Sequence, residues 1–273
     1  MSRLDAGEIR HPLSEAALAR LEELEVFARI GSTNTHLLEQ AAPAAGRFRV
    51  AVADEQTAGR GRQSRRWISP PGAGLYLSAA YTFARVPPQL PALTLALGVG
   101  VIATLESYGD VELRLKWPND IIARDAKLGG ILTEARSPAG DGVTVVAGVG
   151  LNVDLPDDME VPTDSKWFLP PVDLATLLGS PPSTSQLAGR LIGGLFDTLL
   201  RFEDSGFDSF AADWRQRDWL NGRGIIVELP DGELAGIAAG VESDGALILD
   251  VSGGRRKIAS GSITRVDGAG LEA

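Results

Sequence analysis

The sequence predicts an α+β protein in which a mixed β-sheet with flanking helices is followed by a small β-barrel. Two patterns and the composition support this prediction. Strand-like and helical segments alternate over residues 1–220, whereas residues 221–273 hold short strand-like segments separated by Asp-Gly and Gly-Gly turn sequences. The composition, 44% hydrophobic and 23% charged, is that of an ordinary globular chain. We therefore predict two domains with a boundary near residue 220.

The N-terminal segment, residues 1–25, is expected to be a short helical arm. Ser14 stands at an N-cap position and three leucines follow it at helical spacing, so one amphipathic helix is predicted over residues 14–25. A first strand is predicted over residues 26–30. The residues before that strand are too few for a three-helix DNA-binding head.

A polar turn, residues 31–34, separates this strand from the next helix. Ser32 or Thr33 is placed to cap that helix, whose free N–H groups would then face a ligand. Because Ser and Thr cap many helices, these residues by themselves favour an ordinary helix cap over a binding site.

The later elements follow the same alternation. Further strands are predicted over residues 49–54, 75–82, 111–115 and 142–154. Helices are predicted over residues 90–108, 174–178, 184–202 and 207–217. The first of these helices is apolar, but its prolines leave only about four helical turns, so we expect it in the core and not across a membrane. Five short strands form the predicted barrel, over residues 225–229, 236–241, 246–250, 256–260 and 263–266.

The overall charge argues against several classes of function. The formal net charge is −10 and the pI is about 4.8, so the chain as a whole repels nucleic acids and anionic membranes. Cysteine is absent, which excludes disulfides, thiolate metal sites and cysteine nucleophiles. With His11 and His36 as the two histidines, a histidine-rich metal site or a Ser-His-Asp triad is not expected. The first residues lack the apolar core of a signal peptide, which predicts a cytoplasmic protein.

Residues 59–67, here called the arginine loop, stand out against this acidic background. The loop carries four arginines and two glycines in nine residues. Arginine offers planar donor pairs that match phosphate and carboxylate oxygens, and glycine allows unusual backbone conformations. The loop therefore predicts a bound anion, with a solvated basic loop as the alternative.

A second set of polar residues lies between residues 116 and 132. Lys116 and Lys127 are two of only four lysines, and Lys127 precedes the close-packing pair Gly129 and Gly130. An ordinary turn lysine is an equally good interpretation of Lys127 taken alone. The chain contains neither a Walker A loop nor a Rossmann fingerprint. Joining a carboxylate to ATP needs cations that offset the repulsion between the two anions, and this chain offers such a set in Arg60, Arg62, Arg65 and Lys127.

Four segments, in this order, resemble those of the biotin protein ligases. They are EQTAGRGRQSRRW (55–67), KWPND (116–120), KLGGIL (127–132) and GVGLNVD (148–154). The resemblance implies a class II synthetase-like catalytic domain and an SH3-like C-terminal domain. It also implies that biotin and Mg-ATP react to biotinyl-5′-AMP, and that biotin then passes to a lysine on the biotin carboxyl carrier domain of a carboxylase. The short N-terminus is similar to that of the non-repressor class, which lacks a DNA-binding domain.

The resemblance also assigns site residues. Catalytic roles fall on Lys127, Arg60, Arg62 and Asp120, with Asp120 near the reacting centre as an acceptor for the amine proton. Biotin contacts fall on Ser32, Thr33, Asn34, Gln56, Gly59, Arg60, Arg62, Lys127, Gly129 and Gly130. Contacts to ATP or the adenylate fall on Arg62, Arg65, Trp67, Asn119, Lys127 and Asn152. No protein metal site is expected. The family often carries Arg or His at the position of Gln63 and Gly at that of Ser64.

Three other functions are weighed against this one. A lipoate or octanoate ligase or transferase shares the fold, but the arginine loop followed by KWPND argues against it. A biotin-responsive transcription regulator conflicts with the net charge and the short N-terminus. A non-catalytic biotin-binding module would not need Lys127 and Arg62 for chemistry. We expect a carrier domain as partner, no nucleic acid or membrane partner, and a homodimer as one oligomeric state open to the chain.

Overall fold

The computed structural model describes residues 4–136, 142–157, 159 and 169–267. The helices are α1 (Ala6–Arg10), α2 (Glu15–Arg20), α3 (Thr33–Glu39), α4 (Leu93–Leu105), α5 (Leu174–Leu178), α6 (Thr184–Ser205) and α7 (Ala211–Arg217). The strands are β1 (Leu21–Phe27), β2 (Phe48–Ala53), β3 (Gly74–Phe83), β4 (Leu113–Lys116), β5 (Asp120–Ala123), β6 (Ala126–Arg136), β7 (Val143–Asn152), β8 (Gly224–Leu229), β9 (Gly232–Val241), β10 (Leu247–Val251), β11 (Gly254–Ile258) and β12 (Ser262–Val266). The outer ends of both predicted domains, residues 1–3 and 268–273, lie outside the described residues.

Strands β1 to β7 form one mixed sheet in the order β1-β2-β3-β7-β6-β5-β4. Only β1 and β2 run parallel among these neighbours, and the other pairs are antiparallel. Every residue of β3 is buried, because helices or loops cover both faces at the centre of the sheet. This arrangement confirms the predicted α+β class.

The predicted N-terminal helix is wrong beyond Arg20. Helix α2 ends there, and residues predicted to continue it form β1, which pairs with β2 from Leu21 onward. Leu24 and Val26 pack against the core, while Glu22 forms ion pairs with arginines on and next to β2. Tertiary pairing therefore overrides the helical spacing of the leucines. The predicted strand over residues 26–30 overlaps β1 only at its end.

Helix α4 is the core helix that its apolar sequence predicts. Together with its flanking 3-10 turns it spans Leu90–Tyr108, which is long and apolar enough to cross a membrane by length and composition. Nine of its thirteen residues are buried, and it packs against α6 and the sheet. This packing supports a buried core helix and not a membrane-spanning one.

The C-terminal sheet, β8 to β12, is antiparallel throughout, with the order β11-β10-β9-β8-β12. Its hairpins turn at the predicted glycines, and Gly245 has a φ of 83°. This hairpin lies against the larger sheet, because Trp117 Nε1 donates a 2.9 Å hydrogen bond to the Gly245 carbonyl. Arg223, just before β8, also forms an ion pair with Asp125, with its Nη2 3.6 Å from Oδ1. The C-terminal sheet is therefore fixed beside residues 116–120.

Asp218 lies at the junction of the two sheets and is expected to make stability depend on pH. Burial raises its pKa to about 6 from 3.8, although Leu220 N donates to its Oδ1 at 3.0 Å. The folded state binds this proton more tightly than the unfolded state, so the contribution to stability is present below about pH 4 and is lost as pH rises through 6. Asp218→Asn cannot ionise and keeps the acceptor oxygen.

Urea unfolding at pH 4 and pH 8 measures this effect. We expect the parent, relative to Asp218→Asn, to lose up to about 3 kcal/mol of unfolding free energy between the two pH values. Asp231→Asn, at an exposed turn, is the matched control and should follow the parent. An equal pH dependence in the parent and Asp218→Asn would contradict the assignment.

Candidate active site

A cavity of about 610 Å³ opens on the larger sheet beside the C-terminal sheet. The N-terminus of α3, the arginine loop, β6 and β7 form most of its wall, and Gly261, Ser262 and Ile263 complete it. Thirteen of the fifteen residues that the resemblance assigned line this cavity. They are Ser32, Thr33, Asn34, Gln56, Arg60, Arg62, Arg65, Trp67, Asn119, Asp120, Lys127, Gly130 and Asn152. Gly59 and Gly129 lie just behind the lining, where an added Cβ would meet backbone oxygens at 2.6 Å.

The N-terminus of α3 forms a polar pocket with fixed hydrogen bonds. Ser32 caps the helix, and Thr33 N donates to Gln56 Oε1 at 2.9 Å. Ser78 Oγ, fully buried on β3, lies 2.7 Å from Thr33 Oγ1 and 2.6 Å from Asn34 Oδ1. The cap residues therefore serve two purposes, since they begin the helix and also present ordered polar atoms to the cavity.

Glu134 connects this pocket to the arginine loop. Its carboxylate accepts from Asn34 Nδ2 at 2.9 Å, and from Arg60 Nη2 at 2.8 and 3.1 Å. A methyl group at Gly148, on the neighbouring strand, would collide with the Asn34 side chain. Glu134 and Gly148 therefore hold Asn34 in place, and Glu134 also holds one loop arginine over the pocket.

Lys116, Asp120 and Lys127 form a buried charge cluster at the other end of the cavity. Asp120 Oδ1 lies 2.6 Å from Lys127 Nζ, and Oδ2 lies 3.1 Å from Lys116 Nζ. The register brings them together, because Lys116 pairs with Asp120 across the β4–β5 hairpin. Within these three side chains two cations surround one carboxylate, an arrangement that suits an anionic ligand.

The cluster shifts the pKa of its members in opposing ways. Burial would raise the pKa of Asp120, but Lys127 and Lys116 together hold it well below its usual range. Burial lowers the pKa of Lys127, and the Asp120 carboxylate opposes that shift. A carboxylate held in its charged form in this way is a good partner for ammonium groups and a weak base.

Trp67 provides an aromatic surface beside the charge cluster. Lys127 Nζ lies 5.3 Å from the centroid of its ring. The ring packs closely on the sheet, since a Cβ on Gly150 would come within 2.8 Å of Trp67 Cε2. Trp67 Nε1 is buried and has no hydrogen-bond partner within the described part of the chain. A buried donor of this kind at a cavity wall suits an acceptor on a bound molecule.

The arginine loop forms a hairpin. Arg60 pairs with Arg66, Gly61 N donates to the Arg65 carbonyl at 2.7 Å, and Trp67 N donates to the Gly59 carbonyl at 2.9 Å. Arg62 lines the cavity, where burial lowers the pKa of its guanidinium and Asp120 raises it. The loop thus places cations toward the charge cluster.

The amides of Asn119 and Asn152 bind the backbone. Asn119 Nδ2 donates to the Ile131 carbonyl at 2.8 Å. Asn152 Nδ2 lies 3.2 Å from the Lys127 carbonyl and 3.0 Å from that of Val172. Both amides therefore fix the strands that carry the cavity wall, and their predicted contacts to a nucleotide stay predictions.

The structure adds residues that the sequence did not single out for the site, namely Ser78, Glu134 and Ser262. Ser78 and Glu134 lie on strands whose long-range pairing brings them to α3. The one sequence signal that could have indicated either residue is a polar side chain inside an otherwise apolar strand. Among the described residues, no group of three or more His, Cys, Asp or Glu side chains is arranged to hold a metal ion.

Comparison with known proteins identifies the family. A biotin–[acetyl-CoA-carboxylase] ligase from Mycobacterium tuberculosis is 36% identical over 96% of this chain and 99% of the relative. The chain belongs to the biotin protein ligase family. Two family models agree: Biotin/lipoate A/B protein ligase family over residues 26–152, and Biotin protein ligase C terminal domain over residues 221–265.

Other ligases match over similar lengths. The bifunctional ligase/repressor BirA of Salmonella typhimurium is 33% identical over 92% of this chain and 74% of that protein. The solved biotin protein ligase from Aquifex aeolicus in complex with biotin and ATP has a TM-score of 0.69 and 26% identity. That alignment covers 89% of this chain and 97% of the Aquifex ligase.

Proposed function

We propose that this ligase binds biotin at the α3 end of the cavity and ATP at the Trp67 end, with the charge cluster between the reacting groups. As a member of its family, the chain is an ATP-dependent ligase with biotin and ATP as substrates. The observation that carries the assignment is one continuous cavity of the described residues that joins a rigid polar pocket to buried cations. A binding module for biotin alone would have no use for the second end.

The α3 end suits the ureido ring of biotin. That ring presents two N–H donors and one carbonyl acceptor, and Ser32, Thr33, Asn34 and Gln56 offer both kinds of partner at fixed positions. Apolar residues next to the polar pocket suit the valeryl chain, namely Leu77, Ile131, Leu132 and Val149. Gly59, Gly129 and Gly130 act here by allowing close approach of strands and loop.

The opposite end suits the nucleotide. Trp67 offers a ring face for the adenine and Arg65 lies beside it on the loop. Arg62 and Lys127 lie between the two ends, where the biotin carboxylate meets the α-phosphate. In the first step a carboxylate oxygen attacks the α-phosphorus and pyrophosphate leaves, so both cations offset the negative charge that accumulates there.

The second step uses the same site. The amine of a lysine on a carrier domain attacks the acyl carbon of biotinyl-5′-AMP, AMP leaves, and the amine loses one proton. Family membership implies a biotin carrier domain as the acceptor. Lys127 faces the phosphate that departs, and Asp120 holds Lys127 in position. While Lys116 and Lys127 both contact Asp120, the pKa of the Asp120 carboxyl is low, so Asp120 is a weak acceptor for the amine proton.

Mg²⁺ is expected with ATP, yet the described residues do not form a site for it. Among the described residues of the cavity lining, Asp120 is the one carboxylate, and it already accepts from two ammonium groups. The phosphates of ATP and water are then its expected ligands, as is common for Mg²⁺. We assign no step to the metal.

The remaining sequence predictions define the biological setting that we propose. We divide the chain into a catalytic domain, residues 1–220, and a C-terminal domain, residues 221–273, and we place the protein in the cytoplasm. The expected lack of nucleic acid and membrane partners stays a prediction. The homodimer stays a prediction as well.

A substrate comparison tests the proposed function. The parent protein, given ATP, a carrier domain and either labelled biotin or labelled lipoate, is expected to release pyrophosphate and to label the carrier. We expect both with biotin to be at least about 100-fold faster than with lipoate. The rigid polar pocket explains the preference. Lipoate has no ureido group to exchange hydrogen bonds with the pocket residues, whose positions are fixed by their own hydrogen bonds.

The control is an acceptor carrier whose target lysine is replaced by arginine. It should allow biotinyl-5′-AMP to form but not the transfer. Efficient transfer of lipoate, or binding of biotin without pyrophosphate release, would refute the assignment.

A further inference from the structure

The tip of the arginine loop contacts the C-terminal sheet through three polar side chains. Ser262, the first residue of β12, is buried, and its Oγ lies 2.7 Å from Arg65 Nη2 and 2.8 Å from Gln63 Oε1. Arg65 Nη2 also lies 3.2 Å from Gln63 Oε1. All three hydrogen bonds can form at once. Arg65 Nη2 donates to Ser262 Oγ and to Gln63 Oε1, and the Ser262 hydroxyl donates its own proton to Gln63 Oε1.

Each side of this contact is held firmly. On the loop side, Gln63 has a φ of 53° and a ψ of 39°, a left-handed conformation that is uncommon for a residue other than glycine. On the sheet side, a Cβ on Gly261 would lie 2.7 Å from Val227 Cγ1, so the backbone before Ser262 packs directly on β8. The hydroxyl of Ser262 is thus presented by a rigid element.

The same contact positions Arg62. This residue precedes Gln63 and lines both the main cavity and a smaller one of about 120 Å³, which Trp117 and Gly245 also border. Because the Trp117–Gly245 hydrogen bond fixes the C-terminal sheet to the catalytic sheet, the loop tip is tied to a fixed surface. A loop released from Ser262 would still be held near its base by the Arg60–Glu134 ion pair, but its tip would be free to leave the cavity.

We infer that Ser262 is a positioning residue that holds the arginine loop closed over the cavity through Gln63 and Arg65. The inference rests on the proposed function, since a closed loop retains biotinyl-5′-AMP and protects it from water. The C-terminal sheet contributes to intermediate retention in this way without touching the reacting atoms.

Two measurements on the full-length protein test the inference. In the first, labelled biotinyl-5′-AMP is formed on the enzyme and its release into excess unlabelled ligand is followed. Ser262→Ala and Gln63→Met are each expected to release it about five- to tenfold faster than the parent. The double variant should be no faster than the faster single variant, because both changes break one network.

The second measurement needs no ligand. Trypsin cleavage within the arginine loop of the free protein should be faster in Ser262→Ala by a similar factor, because native-state cleavage follows local opening. Ser262→Thr keeps the hydroxyl and should restore both properties toward the parent. Ser260→Ala, exposed and two residues away, is the matched control and should match the parent in both assays.

The outcomes separate the two ideas. If the parent makes no adenylate, the proposed function fails, and the trypsin assay still decides whether Ser262 holds the loop. If the adenylate forms and both Ser262→Ala and Gln63→Met match the parent in release and cleavage, the inference is wrong. Gln63→Met changes an exposed residue, so it keeps the test decisive if Ser262→Ala unfolds.

Discussion

Lys127→Met is expected to abolish most of the adenylation activity, lowering its rate by about 100- to 1000-fold. Lys127 Nζ is the buried cation that contacts Asp120 at 2.6 Å and lies 5.3 Å from the Trp67 ring centroid. Lys127 is buried, so its charge is screened weakly by solvent and offsets the charge of the reacting anions strongly. Methionine keeps much of the side-chain volume and removes that charge. Pyrophosphate release under saturating biotin and ATP measures the effect.

Two comparisons separate catalysis from folding. In Lys127→Met the Asp120 carboxylate keeps Lys116 at 3.1 Å, so the thermal unfolding midpoint should stay near that of the parent. Lys257→Met changes an exposed lysine that pairs with Asp244, and we expect parental activity from it. Adenylation at the parent rate by Lys127→Met would show that the cavity has been assigned to the wrong chemistry.

The sequence predicted most of the fold because its apolar periodicity is local. The spacing along α6 and the turn glycines of the C-terminal sheet each act within a few residues. Helix α6 was predicted close to its observed bounds, whereas β9 begins at Gly232, four residues before its predicted start. The failures lie where distant pairing decides. Strand β1 needs β2 to form, and β6 contains Gly129 and Gly130, which lower strand propensity until two neighbours supply the hydrogen bonds.

The site shows the same division between local and distant information. Charge and residue type predicted an anion site at the arginine loop and left Lys127 evenly divided between that site and an ordinary turn, whereas biotin came from the resemblance alone. The partners that orient the site were not predictable, because Ser78 and Glu134 reach Asn34 from 44 and 100 residues away in sequence. Neither residue belongs to a recognisable motif, and each is simply a polar side chain within a strand.

Asp120→Asn is expected to damage the first step more than the second. Without the carboxylate, Lys127 loses its 2.6 Å partner and the pKa of its buried ammonium falls further, so adenylation should drop by about 100-fold or more. Transfer from supplied biotinyl-5′-AMP should drop only about tenfold, because a carboxylate with so low a pKa is a weak base. Single-turnover measurements of each step, made separately, give the two factors. A larger loss in transfer than in adenylation would identify Asp120 as the base for the amine.

The same change should destabilise the fold by removing a buried negative charge from between two ammonium groups. Asp120→Asn leaves two buried ammonium groups without their carboxylate, at an expected cost of about 3–5 kcal/mol in the free energy of unfolding. Adding Lys116→Met returns the cluster to one net positive charge, so the double variant should regain most of the lost stability. Adenylation should stay low in it, because Lys127 still lacks the partner that positions it. If the double variant does not regain stability, lost packing and not charge explains the lower free energy of unfolding. If its adenylation rate recovers fully, Asp120 serves only to neutralise Lys116.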